Sequence, residues 1–326
     1  MRSLTTPTPS AVPSLDPIET SVHVHDPTAV PPPTTEDPAS VAFRHSGWQP
    51  TRNRVYAALN ATSAAHSRLD RFTNCGSHAW VYQANDNPDL FRVQADHCRD
   101  RWCLPCARSR AARLAARAHA HLTNRHVRLI TLTLVATATP LTEQIDHLFG
   151  SFRRLRRHAL WRSCVHGGLA VLEISRNGDT GAWHPHLHVL AVGRYLPHDE
   201  LREAWRTATN GSYIVDIRAV PDNTEAIRYV LRYLTKPAST AIYRHHDSLC
   251  QLLLALHHRR TYQTFGILHG LDADTSDDAD GWTPVAPLHH IIYQAALGEP
   301  SAVNILNHLR RTLTCLDLTF SPTSSP

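Results

Sequence analysis

Lysine is almost absent from this chain: Lys236 is the one lysine among 33 lysine and arginine side chains, so arginine supplies nearly all the positive charge. Nor is there an apolar run approaching the roughly 20 residues that a bilayer-spanning helix needs, which predicts no membrane association. Arg2 is followed by no apolar h-region, so no secretory signal peptide is expected. Cysteine is scarce and odd in number, with seven in 326 residues, four of them between Cys75 and Cys106. A clustered, odd set points to a metal site in a reducing, cytoplasmic compartment and away from a disulfide framework. No internal repeat is visible. The net charge of +5 is a mild basic bias, compatible with nucleic acid but not diagnostic of it.

The length allows two or three modest domains. Residues 1–42 are rich in Pro, Thr, Ser and Asp and poor in large apolar groups, so they are expected to be disordered. Residues 43–125 concentrate arginine, cysteine and aromatics and end in a helix over Cys106–His121, a zinc-binding region. Over 126–240 strands and helices alternate. Strands are predicted at Arg128–Ala136, Leu169–Ser175, His184–Val192 and Tyr213–Arg218. Helices are predicted at Thr142–Trp161, Asp199–Ala208 and Thr224–Lys236, the last stopped by Pro237. That order predicts an α+β fold, an antiparallel sheet with helices on one face and a ferredoxin-like core. Residues 241–326 read as mostly helical, interrupted by an acidic loop around Asp272–Gly281, with no legible chemistry.

His184-Pro-His186-Leu-His188 falls on a predicted strand, where alternation puts the three imidazoles on one face and Leu187 and Val189 on the other. Hydrogen-bonded core histidines are the plainer reading in a chain with 24 of them. Glu173 changes the balance: it sits mid-strand in apolar Val-Leu-Glu-Ile, one hairpin away, where an isolated carboxylate is costly unless it meets a cation or hydrogen-bond donors. His186, His188 and Glu173, with His184 beside them, make a two-histidine, one-carboxylate set suited to Mn²⁺ or Mg²⁺ at a phosphate.

The second constellation is Glu225-Ala-Ile-Arg228-Tyr229-Val-Leu-Arg232-Tyr233-Leu-Thr-Lys236. On a helical wheel Ile227, Val230, Leu231 and Leu234 share one side; Glu225, Tyr229, Arg232, Tyr233 and Lys236 share the other. Both tyrosines are therefore expected to avoid the core face. A phenol is a poor nucleophile at neutral pH unless a base or cation helps remove its proton. Glu225 is a candidate base for Tyr229, and Arg228, Arg232 and Lys236 are candidates for holding DNA phosphates. An ordinary solvated polar face would look the same; the nearby histidine strand favours chemistry.

Cys75, Cys98, Cys103 and Cys106 suit a closed tetrahedral Zn²⁺ site, with His78 or His97 as possible replacements for one thiolate. Arginines 99, 101, 108, 110, 113 and 117 surround them and could contact phosphates.

These motifs, in this order from about Cys75 to Gly270, resemble the rolling-circle replication initiators of small bacterial plasmids, in the His-hydrophobe-His (HUH) endonuclease superfamily. Cys98-Arg-Asp-Arg-Trp-Cys103-Leu-Pro-Cys106 resembles the family's cysteine region, Thr131-Leu-Thr133 its first strand motif and His184–His188 its metal motif. Tyr229-Val-Leu-Arg-Tyr233-Leu-Thr-Lys236 resembles its nucleophile motif in two registers, with Tyr229 alone or both tyrosines acting; arginine stands at 228 and 232 where the family usually has lysine. The resemblance implies a metal-dependent nickase that forms a 5′-phosphotyrosine link on single-stranded or hairpin origin DNA and leaves a 3′-OH primer. It also implies host helicase and polymerase partners. A conjugative relaxase or single-strand transposase would use the same chemistry, and a non-catalytic, zinc-containing DNA-binding regulator is the alternative from another class.

Overall fold

The computed structural model describes residues 37–178, 180–220, 222–235, 238–271 and 281–315. In chain order the elements are α1 (Pro38–Arg44), α2 (Gln49–Ala61), α3 (His66–Thr73), β1 (Trp80–Ala84), β2 (Phe91–Gln94), α4 (Leu104–Leu122), β3 (Val127–Thr133), α5 (Leu141–Arg157) and α6 (Ala159–Cys164). They continue as β4 (Val165–Arg176), β5 (Trp183–Gly193), α7 (His198–Thr209), β6 (Val215–Ala219), α8 (Asn223–Thr235), α9 (Thr240–Arg244), α10 (His246–Ala255), β7 (Tyr262–Gly266), β8 (Trp282–Pro287), α11 (Leu288–Ala296) and α12 (Pro300–Cys315). The fold is α+β. Helix α1 starts inside the segment expected to be disordered, where Asp37 caps it by accepting from the Ser40 amide. The single helix expected over Thr142–Trp161 is two: His158 turns to extended backbone and its side chain accepts from the Leu160 amide, starting α6.

The main sheet is antiparallel throughout, in the order β6-β3-β5-β4-β7. Helices cover both of its faces, not the one expected. The reason is legible in β4 and β5: Leu169, Val171, Leu190 and Val192 pack towards α4 and α8, while Ala170, Leu172, Val189 and Ala191 pack towards α5 and α7. Two apolar faces need two covers. The fifth strand, β7, comes from beyond residue 240 and pairs with β4. Its close approach requires glycine: a Cβ on Gly167 would lie 2.7 Å from the Phe265 carbonyl oxygen, and Gly266 has φ +58° with no room for a Cβ beside the His166 carbonyl.

A smaller antiparallel sheet, β2-β1-β8, joins the cysteine region to the C-terminal helices. Ala79, Val81, Leu288, Ile305 and Leu309 form its core against α11 and α12.

Candidate active site and metal centre

Strand β5 presents His184, His186 and His188 on the face that α8 covers, because Leu187 and Val189 are committed to the opposite core. Register puts Glu173 of β4 and Thr133 of β3 across from His186, and Thr131 across from His188. His188 Nε2 lies 2.7 Å from Glu173 Oε2, and its Nδ1 lies 3.3 Å from Thr131 Oγ1. Burial pushes the Glu173 carboxyl up, but the hydrogen bond and charge of His188 outweigh it and hold the group below the usual carboxylate range. Burial, then the neighbouring His184, lowers His186 to about 4, so it is a neutral imidazole. His186 Nδ1 is buried with no hydrogen-bond partner. An orphaned buried nitrogen at the strand position facing Glu173 is one that a cation would satisfy, while the ligand atoms of His186, His188 and Glu173 do not all lie within 4.8 Å of one another. His184 is turned away: its Nε2 lies 3.2 Å from the Leu134 carbonyl oxygen, and it meets His186 ring edge to ring face.

Helix α8 buries Ile227, Val230, Leu231 and Leu234, each worth about 1.5–3 kcal/mol as an upper estimate. That stripe fixes the helix phase and aims both tyrosines at β5. Here the expectation that both tyrosines avoid the core fails: Tyr233 is 8 % exposed and belongs to the core between α8 and the sheet, with half-buried Tyr229 packed against it. The wheel places both rings towards the polar side, but there the His188 imidazole of β5 supplies a flat surface. The Tyr233 ring stacks on His188, with centroids 4.0 Å apart. Its hydroxyl donates to the Tyr229 hydroxyl at 3.2 Å and accepts from Arg232 Nη2 at 3.2 Å. The Arg232 guanidinium also lies over the Tyr229 ring, 4.0 Å from its centroid. Burial pushes the Tyr233 phenol well above its ordinary value.

Glu225 is exposed in the first turn of α8 and forms no hydrogen bond to either tyrosine. Arg228 is half-buried. Lys236 lies outside the described residues. Thr131 was missed as a site residue because its role exists only in the β3–β5 register; the Thr131-Leu-Thr133 alternation was the available signal.

The four cysteines converge. Cys75 Sγ lies 3.7 Å from Cys103 Sγ and 3.5 Å from Cys106 Sγ, and Cys98 Sγ lies 3.6 Å from Cys106 Sγ. A tetrahedron with metal–sulfur bonds of about 2.3 Å has edges of about 3.8 Å, whereas a disulfide would need about 2 Å. All four are buried free thiols with sulfurs within 4.8 Å of one another, close enough to bind a metal such as zinc. Among the described residues no other group of three or more possible ligands converges that tightly. Hydrogen bonds from Cys103 and Cys106 hold the Cys75 thiol far below its usual range, while those to Cys106 and Cys75 push Cys103 well above it. His78 pairs with Asp96, and His97 with Arg44 and Cys106; the group that converges is the four cysteines. Two neighbours had no sequence signal: buried His45, with Nε2 3.5 Å from Cys103 Sγ, and Arg44, with Nη2 3.7 Å from Cys106 Sγ.

An antiparallel α+β domain carrying a histidine–carboxylate–tyrosine face, beside a four-thiol metal centre, defines the class. A family model described as replication protein matches residues 90–288. The chain belongs to that family of replication proteins. Among curated relatives it is 29% identical to Protein rep of Bacillus amyloliquefaciens over 171 residues, 47% of this chain and 50% of that protein. It is 28% identical to Protein rep of a Bacillus species (51% and 60% covered) and 25% identical to that of Streptococcus pneumoniae (52% and 60%). The matched part of the chain thus spans 50–60% of the length of these relatives. No solved structure matches the chain. No described helix is long and apolar enough to cross a membrane.

Proposed function

We propose that this protein is a rolling-circle plasmid initiator that nicks single-stranded or hairpin origin DNA by tyrosine transesterification, with Tyr229 as the attacking residue. The observation that carries the reading is the Tyr229–Tyr233–Arg232 group resting on the His188–Glu173 pair. Tyr229 is the more accessible phenol; Tyr233 is buried, its proton is harder to remove, and its ring fixes the approach of α8 to β5. The Tyr229 hydroxyl gives up its proton to solvent as its oxygen attacks the scissile phosphorus, forms a 5′-phosphotyrosine ester and breaks the bond to the 3′ oxygen. The leaving oxygen takes up a proton and becomes the 3′-OH primer. Arg232 lies where it can screen charge on the attacking oxygen and the phosphate. His186, His188 and Glu173 would hold a Mn²⁺ or Mg²⁺ ion, which when bound supplies Lewis-acid polarisation of the phosphate. Thr131 orients His188 through Nδ1. Glu225, exposed and apart from the phenols, fits activation of water in a later strand-release step better than deprotonation of Tyr229. Host helicase and polymerase would act after the nick.

The test is a denaturing gel of protein with labelled origin-strand oligonucleotides, with and without Mn²⁺. A metal-dependent covalent adduct is expected, lost in Tyr229→Phe and retained at a reduced level in Tyr233→Phe. Duplex binding with no adduct on any origin strand would instead identify a non-catalytic DNA-binding regulator.

A further inference from the structure

Helix α1 has seven residues, well below the length at which an isolated helix holds its shape, and it lies outside residues 90–288, where the family match falls. Contacts on two sides seat it. Towards α11, Asp37 Oδ2 lies 3.9 Å from His289 Nδ1, and Phe43 packs against the core of the small sheet. On the other side Arg44, its last residue, and His45, the next in the chain, reach the thiol centre.

Arg44 is fastened to the surroundings of all but one of the cysteines. Its Nη2 donates to Cys106 Sγ at 3.7 Å and lies 2.7 Å from Nδ1 of His97, the residue before Cys98. Its stem crosses Gly76, the residue after Cys75, where φ is +101° and a Cβ would lie 2.7 Å from Arg44 Cδ. The fourth cysteine, Cys103, meets His45. That imidazole is buried, and its Nδ1 lies 2.8 Å from the Val41 carbonyl oxygen, which can only accept; Nδ1 therefore carries a hydrogen and Nε2 faces the sulfur. A divalent ion on four thiolates leaves an excess of negative charge in a buried place. A guanidinium hydrogen bond to a charged sulfur is stronger than one to a neutral thiol, which is a weak acceptor.

We propose that α1 is a metal-seated clasp: the loaded thiol centre supplies the negative charge that Arg44 binds at Cys106, and so docks α1 between that centre and α11. The coupling is reciprocal, so seating α1 also tightens the hold on the metal. In this way metal loading sets the join between the cysteine region and the C-terminal helices, apart from the tyrosine face.

The test is hydrogen exchange read by mass spectrometry on the full chain, loaded with zinc and again after a strong chelator has removed it under reducing conditions. Removal should speed exchange in α1 by about 5- to 150-fold and leave β4 and β5 unchanged. In zinc-loaded Arg44→Met, α1 should exchange as fast as in the zinc-free chain. Zinc affinity in that variant, read by competition with a chromophoric chelator, should fall by about 10- to 100-fold, and Arg44→Lys should restore part of both. Once zinc is removed, Arg44→Met should add nothing further, a non-additivity that packing of the Arg44 stem alone would not give. Cobalt(II) in place of zinc should show the absorption of four thiolate ligands, in the unaltered chain and in His45→Phe alike. Equal exchange of α1 with and without zinc would overturn the proposal, as would additive effects of the substitution and zinc removal. So would exchange that rises as much in β4 and β5 as in α1, or a chain that takes up no zinc. A cobalt spectrum that loses a nitrogen ligand in His45→Phe would also overturn it, by making His45 a ligand in place of an outer contact.

Discussion

The Tyr233 ring lies flat on the His188 imidazole, with planes 2° apart and centroids at 4.0 Å. One contact therefore couples the helix that carries the tyrosines to the strand that carries the histidines.

The ring and the hydroxyl of Tyr233 can be separated by substitution. Tyr233→Phe keeps the stack and removes the hydroxyl that links Tyr229 to Arg232, so adduct formation should fall by about tenfold with little loss of stability. Tyr233→Ala removes a buried ring and should cost about 3 kcal/mol of stability in a denaturant melt. Equal stability of the two variants would contradict the packing described.

Glu173 makes stability depend on pH in a definite direction. Its folded value is depressed below the ordinary 4.5, so its contribution is present above 4.5 and is lost as pH falls through the lower folded value. Thermal melts of metal-free protein should show a gap between the unaltered chain and Glu173→Gln that closes in that acid window. A gap that widens there would show that the His188 contact does not hold in solution.

Thr131→Val preserves shape in a strand while deleting the oxygen that faces His188 Nδ1. Mn²⁺ affinity, read by calorimetry, should drop about 10- to 100-fold with the melting temperature nearly unchanged. Unchanged affinity would mean that Thr131 does not orient the imidazole.

The thiol centre should hold one Zn²⁺ per chain by elemental analysis. Cys103→Ser or strong chelation should cost at least about 2 kcal/mol, roughly 4–8 °C in Tm, because α1, α2 and α4 meet there. Retention of both zinc and Tm in Cys103→Ser would rule out the four-cysteine site.

Much of the site was legible in the residues because local periodicity encodes it. Alternation along β5 placed His186 and His188 opposite Leu187 and Val189, and an acidic residue in Val-Leu-Glu-Ile marked Glu173. The burial of Tyr233 was not legible, since a helical wheel reports which residues share a side but not that a neighbouring strand offers a ring to stack on. His45 and Arg44 reach Cys103 and Cys106 from 58 and 62 residues away in sequence, and no local pattern announces such a contact. The strand β7 and the helices on the second face were missed for a related reason. A short Tyr-Gln-Thr-Phe-Gly stretch declares itself only through the glycines of β4 that make room for it.

The central claim is most directly tested by locating the covalent bond. The adduct formed with Mn²⁺ on an origin strand is digested after arginine, which separates Tyr229–Arg232 from the peptide that begins at Tyr233, and the nucleotide mass is located by mass spectrometry. The account predicts a phosphonucleotide on Tyr229. A nucleotide on a residue outside α8, or no covalent species on any origin strand, would contradict it.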